Sequence, residues 1–368
     1  HSFSFMALMS QSGNFKRYIN AVLNGSEGAY ALSPYSETIK TYIYGERRSL
    51  WEFELSLTFE AKERLRKHLW ELKETPILYQ FITHNCNTAM EAILNAADQG
   101  FADSKHWLFA TPIEYLGLLE EKDMIKSVSV VPNAIDKAYF AQGKTFYPLN
   151  APSASKIGVQ VYKNGARLTA MPNYRDMRSV SNASQVEFEN KLIEVIARYE
   201  DRKVAIERIN LIAMKTIADY RVAGSSKLFR LGIDESVGDR LSPVAEWGRG
   251  AGALVGDNTH LYALAAAGFA QGKRANLYAF AEIGAIARVG ESAKILANWT
   301  RFADTDKNYR GFDSELNAHI VYALAKDYDI SLSYARRFGV DRVTAFCDRR
   351  SSDRKICDRL TFGVNVYF

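Results

Sequence analysis

Cys86 is the residue in this chain best placed for covalent chemistry. It stands in the run Thr83-His84-Asn85-Cys86-Asn87, and Thr88 to Ala97 then reads as an Ala-rich helix with Met90, Ile93 and Leu94 on one side. A thiol at a helix N-terminus feels the positive end of the helix dipole, which favours the nucleophilic thiolate. Backbone N–H groups there, with the side chain of Asn85, could stabilise an oxyanion. Position alone leaves a second reading open, because a single cysteine in a small helix is often a buried apolar residue.

A thiol nucleophile needs a base, normally a histidine, and the chain has six. His84, two residues before the cysteine in an extended approach, would point away from the chemistry or flank it. His68 lies on a charged helix beside Trp70, His106 in a loop, and His260 and His319 in strands. His1 heads an apolar strand that could lie beside the Cys86 helix, or it is a frayed terminus. Metal ligation by Cys86 with His84 supplies two ligands and no obvious others, so neither a metal nor another cofactor is expected.

Positioning these groups falls to an α+β region over residues 1–150. Ser2 to Ser10 is a short apolar strand, and Leu50 to Leu57 alternates, with Trp51, Phe53, Leu55 and Leu57 opposite Glu52 and Glu54. Thr58 can cap a helix running through Lys73, with Leu65, Leu69 and Leu72 at helical spacing. The apolar run Ile77 to Ile82 leads into the cysteine segment.

Over residues 151–368 the helical pattern gives way to period-two alternation between turns such as Lys163-Asn164-Gly165, Gly256-Asp257-Asn258, Gly272-Lys273 and Lys326-Asp327. In the stretch from Phe312 to Leu324 the even positions Phe312, Leu316, Ala318, Ile320, Tyr322 and Leu324 are apolar. The final strand sets Leu360, Phe362, Val364, Val366 and Phe368 against Thr361, Gly363, Asn365 and Tyr367. About twelve such strands, tilted and of nine to eleven residues, predict an all-β antiparallel transmembrane barrel, since closure leaves no unpaired edge in lipid. A soluble sandwich would have shorter strands, of about five or six residues. The chain also ends on an aromatic residue after alternating apolar positions, as outer-membrane barrels do.

Composition agrees. The longest apolar stretch, Leu261 to Ala270, and a mean hydropathy of −0.21 exclude a helical span, which needs about 18 apolar residues. A net charge of +5, with Lys and Arg scattered among nearly as many carboxylates, argues against nucleic acid. Three cysteines are present; Cys347 and Cys357 sit close together in a charged segment, which predicts one disulfide, an oxidising compartment and a free Cys86. The absence of an initiator Met predicts a mature or truncated form.

The ordered set His1-Ser2-Phe3, Tyr35, Tyr42, Arg47-Arg48-Ser49-Leu50-Trp51-Glu52-Phe53, Leu69-Trp70-Glu71-Leu72, and Tyr79-Gln80-Phe81 through Asn85-Cys86 resembles the periplasmic domain family named for the lipoprotein N-acyltransferase Lnb. The resemblance covers roughly residues 1 to 135. It implies a circularly permuted papain-type or NlpC-type fold, akin to lecithin retinol acyltransferase. By it His1 matches the family histidine and Cys86 the nucleophile, with Asn85 beside it, and no third triad member stands out. Two features depart from the family. The Gly before the histidine is absent, and a barrel replaces the membrane helices of the members best known as acyltransferases, which detaches this chain from their lipoprotein substrate.

Together these readings predict a Cys-His acyl-transfer enzyme anchored in the outer membrane of a Gram-negative bacterium, with its N-terminal domain in the periplasm. His1 would deprotonate Cys86, the thiolate would attack an ester or amide carbonyl, and the acyl-thioester would pass to an amine or to water. Membrane lipid or lipoprotein is the expected substrate, and other envelope proteins are candidate partners. The competing readings are a cell-wall peptide amidase or peptidase, and a non-catalytic outer-membrane barrel whose N-terminal domain binds or plugs.

Overall fold

The computed structural model describes residues 2–7, 24–45, 48–73, 75–80, 84–98, 100–101, 111–141, 143, 147–180, 186–235, 241–272, 275–305, 311–340, 349–351 and 356–368. The chain divides into two compact units, His1–Lys144 and Thr145–Phe368.

The first unit is α+β. Its described elements are β1 (Ser2–Ala7), β2 (Ser26–Ser33), α1 (Tyr35–Ile39), β3 (Leu50–Leu55), α2 (Phe59–Leu72), β4 (Pro76–Tyr79), α3 (Cys86–Ala97), α4 (Pro112–Glu121), β5 (Ile125–Val131) and α5 (Ala134–Phe140). Strands β1, β2 and β4 form one antiparallel sheet in that order, and β3 pairs with β5. Thr58 caps α2 as its sequence predicts, its hydroxyl accepting from Ala61 N–H at 3.2 Å. Leu94 of α3, Phe101, and Tyr115 and Leu119 of α4 make the core, joined by Leu55, Leu57, Met90 and Ile125.

The second unit is a closed antiparallel barrel of twelve strands. Its strands are β6 (Lys156–Tyr162), β7 (Gly165–Met171), β9 (Val186–Glu200), β10 (Lys203–Ala218), β11 (Ser226–Asp234), β12 (Ser242–Val255), β13 (Thr259–Gln271), β14 (Ala275–Val289), β15 (Ala293–Asp304), β16 (Ser314–Ala325), β17 (Tyr328–Phe338) and β19 (Ile356–Tyr367). Short β8 (Asn173–Arg175) and β18 (Arg349–Ser351) attach to β9 and β19. The ring closes because β9 pairs with both β7 and β10, while β19 pairs with both β17 and β6. The turns at 163–164, 256–258 and 326–327 fall where Asn, Asp and Gly mark them.

Each strand turns alternate residues outward. Ile295, Ile320, Leu332, Phe362 and Val161 lie side by side in register on five successive strands, all exposed. Leu324, Val364 and Phe368 are exposed with them. An exposed apolar belt of this kind is stable only against lipid. The 13 residues of β13 rise about 43 Å along the strand, or roughly 33 Å after a tilt near 40°, enough to cross the roughly 25 Å apolar band of such barrels. Phe312 departs from the expected outward row. It precedes β16 and is buried with Val340 and Cys357, because the strand's alternation begins only at Ser314. Cys357 is disulfide-bonded, whereas Cys347 lies outside the described residues.

Apolar and charged side chains both project into the barrel interior. One side carries Val244, Leu264, Ala266, Tyr278 and Phe280, and elsewhere arginines pair with carboxylates, as in Arg167 with Glu207 at 2.6 Å and Arg337 with Glu315 at 2.5 Å. Residues that follow β8 also reach inside, with Asp176, Met177 and Ser179 buried and Met177 clustered with Ile217, Tyr262 and Ile286, while Arg178 between them is exposed.

Candidate functional site

Cys86 is the first residue of α3, whose start is fixed by a reciprocal cap. Asn85 Oδ1 accepts from Asn87 N–H at 2.9 Å and from Thr88 N–H at 3.2 Å, while the Thr88 hydroxyl accepts from Asn85 N–H at 3.0 Å. The Asn85 carboxamide oxygen is thus committed to holding the helix end. Behind it Asn87 is fully buried and donates to Glu91 at 2.6 Å. Ala89, Leu94 and Ala97 bury the inner face of the helix, leaving Cys86 exposed.

Although the sulfur reaches the surface, the protein packed around it raises the thiol above the usual cysteine range. Hydrogen bonds from the backbone N–H groups of Cys86 and Asn87, and from the Tyr79 hydroxyl, oppose this without outweighing it. Burial therefore outweighs the helix terminus at this thiol. Tyr79, the last residue of β4, is itself pushed upward by burial and by the neighbouring Cys86.

Tyr79 is the member of this site that reading from the cysteine outward misses. It stands seven residues upstream in an apolar run, and only the return of the chain through the Gln80–His84 bridge brings it back to the thiol. Its ring packs on Phe5 of β1 with centroids 5.2 Å apart, and Phe5 and Phe3 flank Tyr30 of β2. Gly28 makes this crossing feasible: a Cβ there would stand 3.0 Å from Tyr79 Cβ and 3.2 Å from Phe5.

The histidines fall as follows. His84 is exposed, and its Nδ1 meets Gln80 Oε1 at 3.2 Å. His68 lies 3.7 Å from Glu71 on α2. His260 and His319 are buried inside the barrel. His1, like His106, Arg47 and Phe81, lies outside the described residues. Strand β1 does touch α3, but its first described residue, Ser2, pairs with Ser33, whereas Tyr79 pairs with Ser26. Seven strand positions correspond to roughly 23 Å along the sheet.

Other residues of the N-terminal motif set tie β3 to its neighbours. The Tyr35 hydroxyl donates to Glu52, which raises Tyr35 to about 12 and lowers Glu52. Ser49 donates to Asp136 at 2.5 Å and accepts from the buried Asn133. Among the described residues no cluster of metal-ligating side chains occurs.

Residues 1–121 match the model of the Lnb N-terminal periplasmic domain. No curated protein matches the chain. The barrel is similar to an outer membrane channel from Pseudomonas putida F1 (8% identity over 59% of this chain and 96% of that one, TM-score 0.37). It is also similar to the NanC porin (7%, 58% and 99%, TM-score 0.35) and to the Acinetobacter baumannii outer membrane protein Omp33 (9%, 60% and 100%, TM-score 0.32).

Proposed function

We propose that this outer-membrane barrel with a periplasmic N-terminal domain is a thiol acyl-transfer enzyme. The carrying observation is the Cys86 thiol, exposed at a capped helix start with the Tyr79 hydroxyl and two backbone N–H groups directed to it. The Cys86 N–H and the Tyr79 hydroxyl suit the oxyanion that forms when the sulfur attacks a carbonyl. Because burial raises the thiol above the usual cysteine range, attack calls for a base. The resemblance to the Lnb periplasmic domain family assigns that role to His1. The acyl group then leaves the thioester for an amine or water, and a membrane-anchored domain favours lipid or lipoprotein as the donor.

A second, non-catalytic reading is favoured by one observation: the sheet register sets Ser2 seven positions from the partner of Tyr79. Incubating the full chain with outer-membrane lipids and identifying modified peptides by mass separates the two. An acyl adduct on Cys86, lost in Cys86→Ser and no longer formed in His1→Ala, is the expected result. An unmodified Cys86 under every donor tried supports the binding reading.

A further inference from the structure

We infer that residues 176–180, which follow β8, are a resident plug that closes the barrel against ion flow. Strands β7 and β9 would need only a short turn to connect, yet this segment passes into the interior. There Met177 buries against Ile217 of β10, Tyr262 of β13 and Ile286 of β14. Asp176, almost wholly buried, lies 3.7 Å from Lys156 at the start of β6. The Ser179 carbonyl accepts from Lys294 of β15 at 3.4 Å. These five contacts reach strands on opposite sides of a twelve-strand ring, so the segment spans the lumen and does not line one wall.

A second, independent set of contacts crosses the same level. Glu187 at the start of β9 binds Lys294 at 2.5 Å and Arg288 of β14 at 2.6 Å, although four strands separate β9 from β14 within the ring. Lys215 of β10 reaches Glu282 of β14 at 2.5 Å. With Lys294 only 1% exposed and Glu187 2%, water does not separate these charges. A buried ion pair resists loss of one partner more than it adds stability, so these pairs act as a latch that holds one arrangement.

The test uses the purified full chain in planar lipid bilayers. The parent protein should show no discrete conductance steps, and a variant with residues 176–180 replaced by a Gly-Ser linker should show them. Heat-dependent gel migration reports that the variant barrel is folded; if it is not, the milder pair Met177→Asp and Glu187→Gln takes its place and should give intermittent opening. Steady conductance by the parent protein, or a folded variant as silent as the parent, overturns the inference.

Discussion

At the scale of single residues, the environment of Cys86 sets a testable acidity. The thiol is raised by surrounding protein, so alkylation of the resting site should accelerate only as pH climbs past the ordinary thiol range. If an imidazole pairs with it in the resting state, the thiolate is already present and the profile moves to lower pH. Iodoacetamide labelling across pH, followed by mass of the Cys86 peptide, reads this directly. An inflection well below the free-cysteine value would show a standing ion pair and contradict the raised thiol. Tyr79 carries a second expectation. Tyr79→Phe should leave the domain folded and lower acyl transfer through loss of one oxyanion donor, whereas Gly28→Val should displace both Tyr79 and Phe5 and cost stability as well. Thermal unfolding beside activity separates the two; equal stability losses in both variants would mean Tyr79 serves packing alone.

At the scale of elements, legibility followed periodicity. Helix α2 could be read from Thr58 to Lys73 because cap and apolar spacing agree, and the barrel strands because lipid outside and polar groups inside enforce a period of two. The β9–β10 hairpin turns on Asp201 and Arg202, both at positive φ (50° and 61°), with no Gly or Asn to announce it. The inward course of residues 176–180 was hidden for a different reason: Asp176, Met177 and Ser179 are ordinary loop residues until strands distant in sequence close around them. Tyr79 stands in the N-terminal motif set, but its approach to the thiol depends on the Gln80–His84 bridge, which no periodicity announces. The outward belt yields a quantitative prediction. Leu332 sits between Ile320 and Phe362, so Leu332→Arg should destabilise the barrel by about 2–4 kcal/mol if the belt lies near the bilayer midplane. Urea unfolding in lipid vesicles measures this, and a change under about 0.5 kcal/mol, the usual range for a water-facing substitution, would contradict lipid exposure.

At the scale of the whole molecule, strand parity fixes which turns face which compartment. Twelve antiparallel strands return the chain to its starting side, so Lys156 and Tyr367 occupy the same end of the barrel, confirmed by their pairing partners in β6 and β19. The N-terminal domain is periplasmic, so that end is the periplasmic one. Counting along the ring, the turns at 256–258, 290–292 and 326–327 share it, while the 201–202 turn and the strand ends at Asp234, Asp304 and Phe338 lie at the outer end. The outer end also carries the Cys357 disulfide, where oxidation persists. In a Cys86→Ser background, Asp201→Cys should react with a membrane-impermeant maleimide in intact cells, and Asp257→Cys only after the outer membrane is permeabilised. Both turns are exposed in the folded barrel, so reactivity reports the compartment and not burial. Labelling in the reverse order would invert the barrel and move the N-terminal domain, with its thiol, to the cell surface.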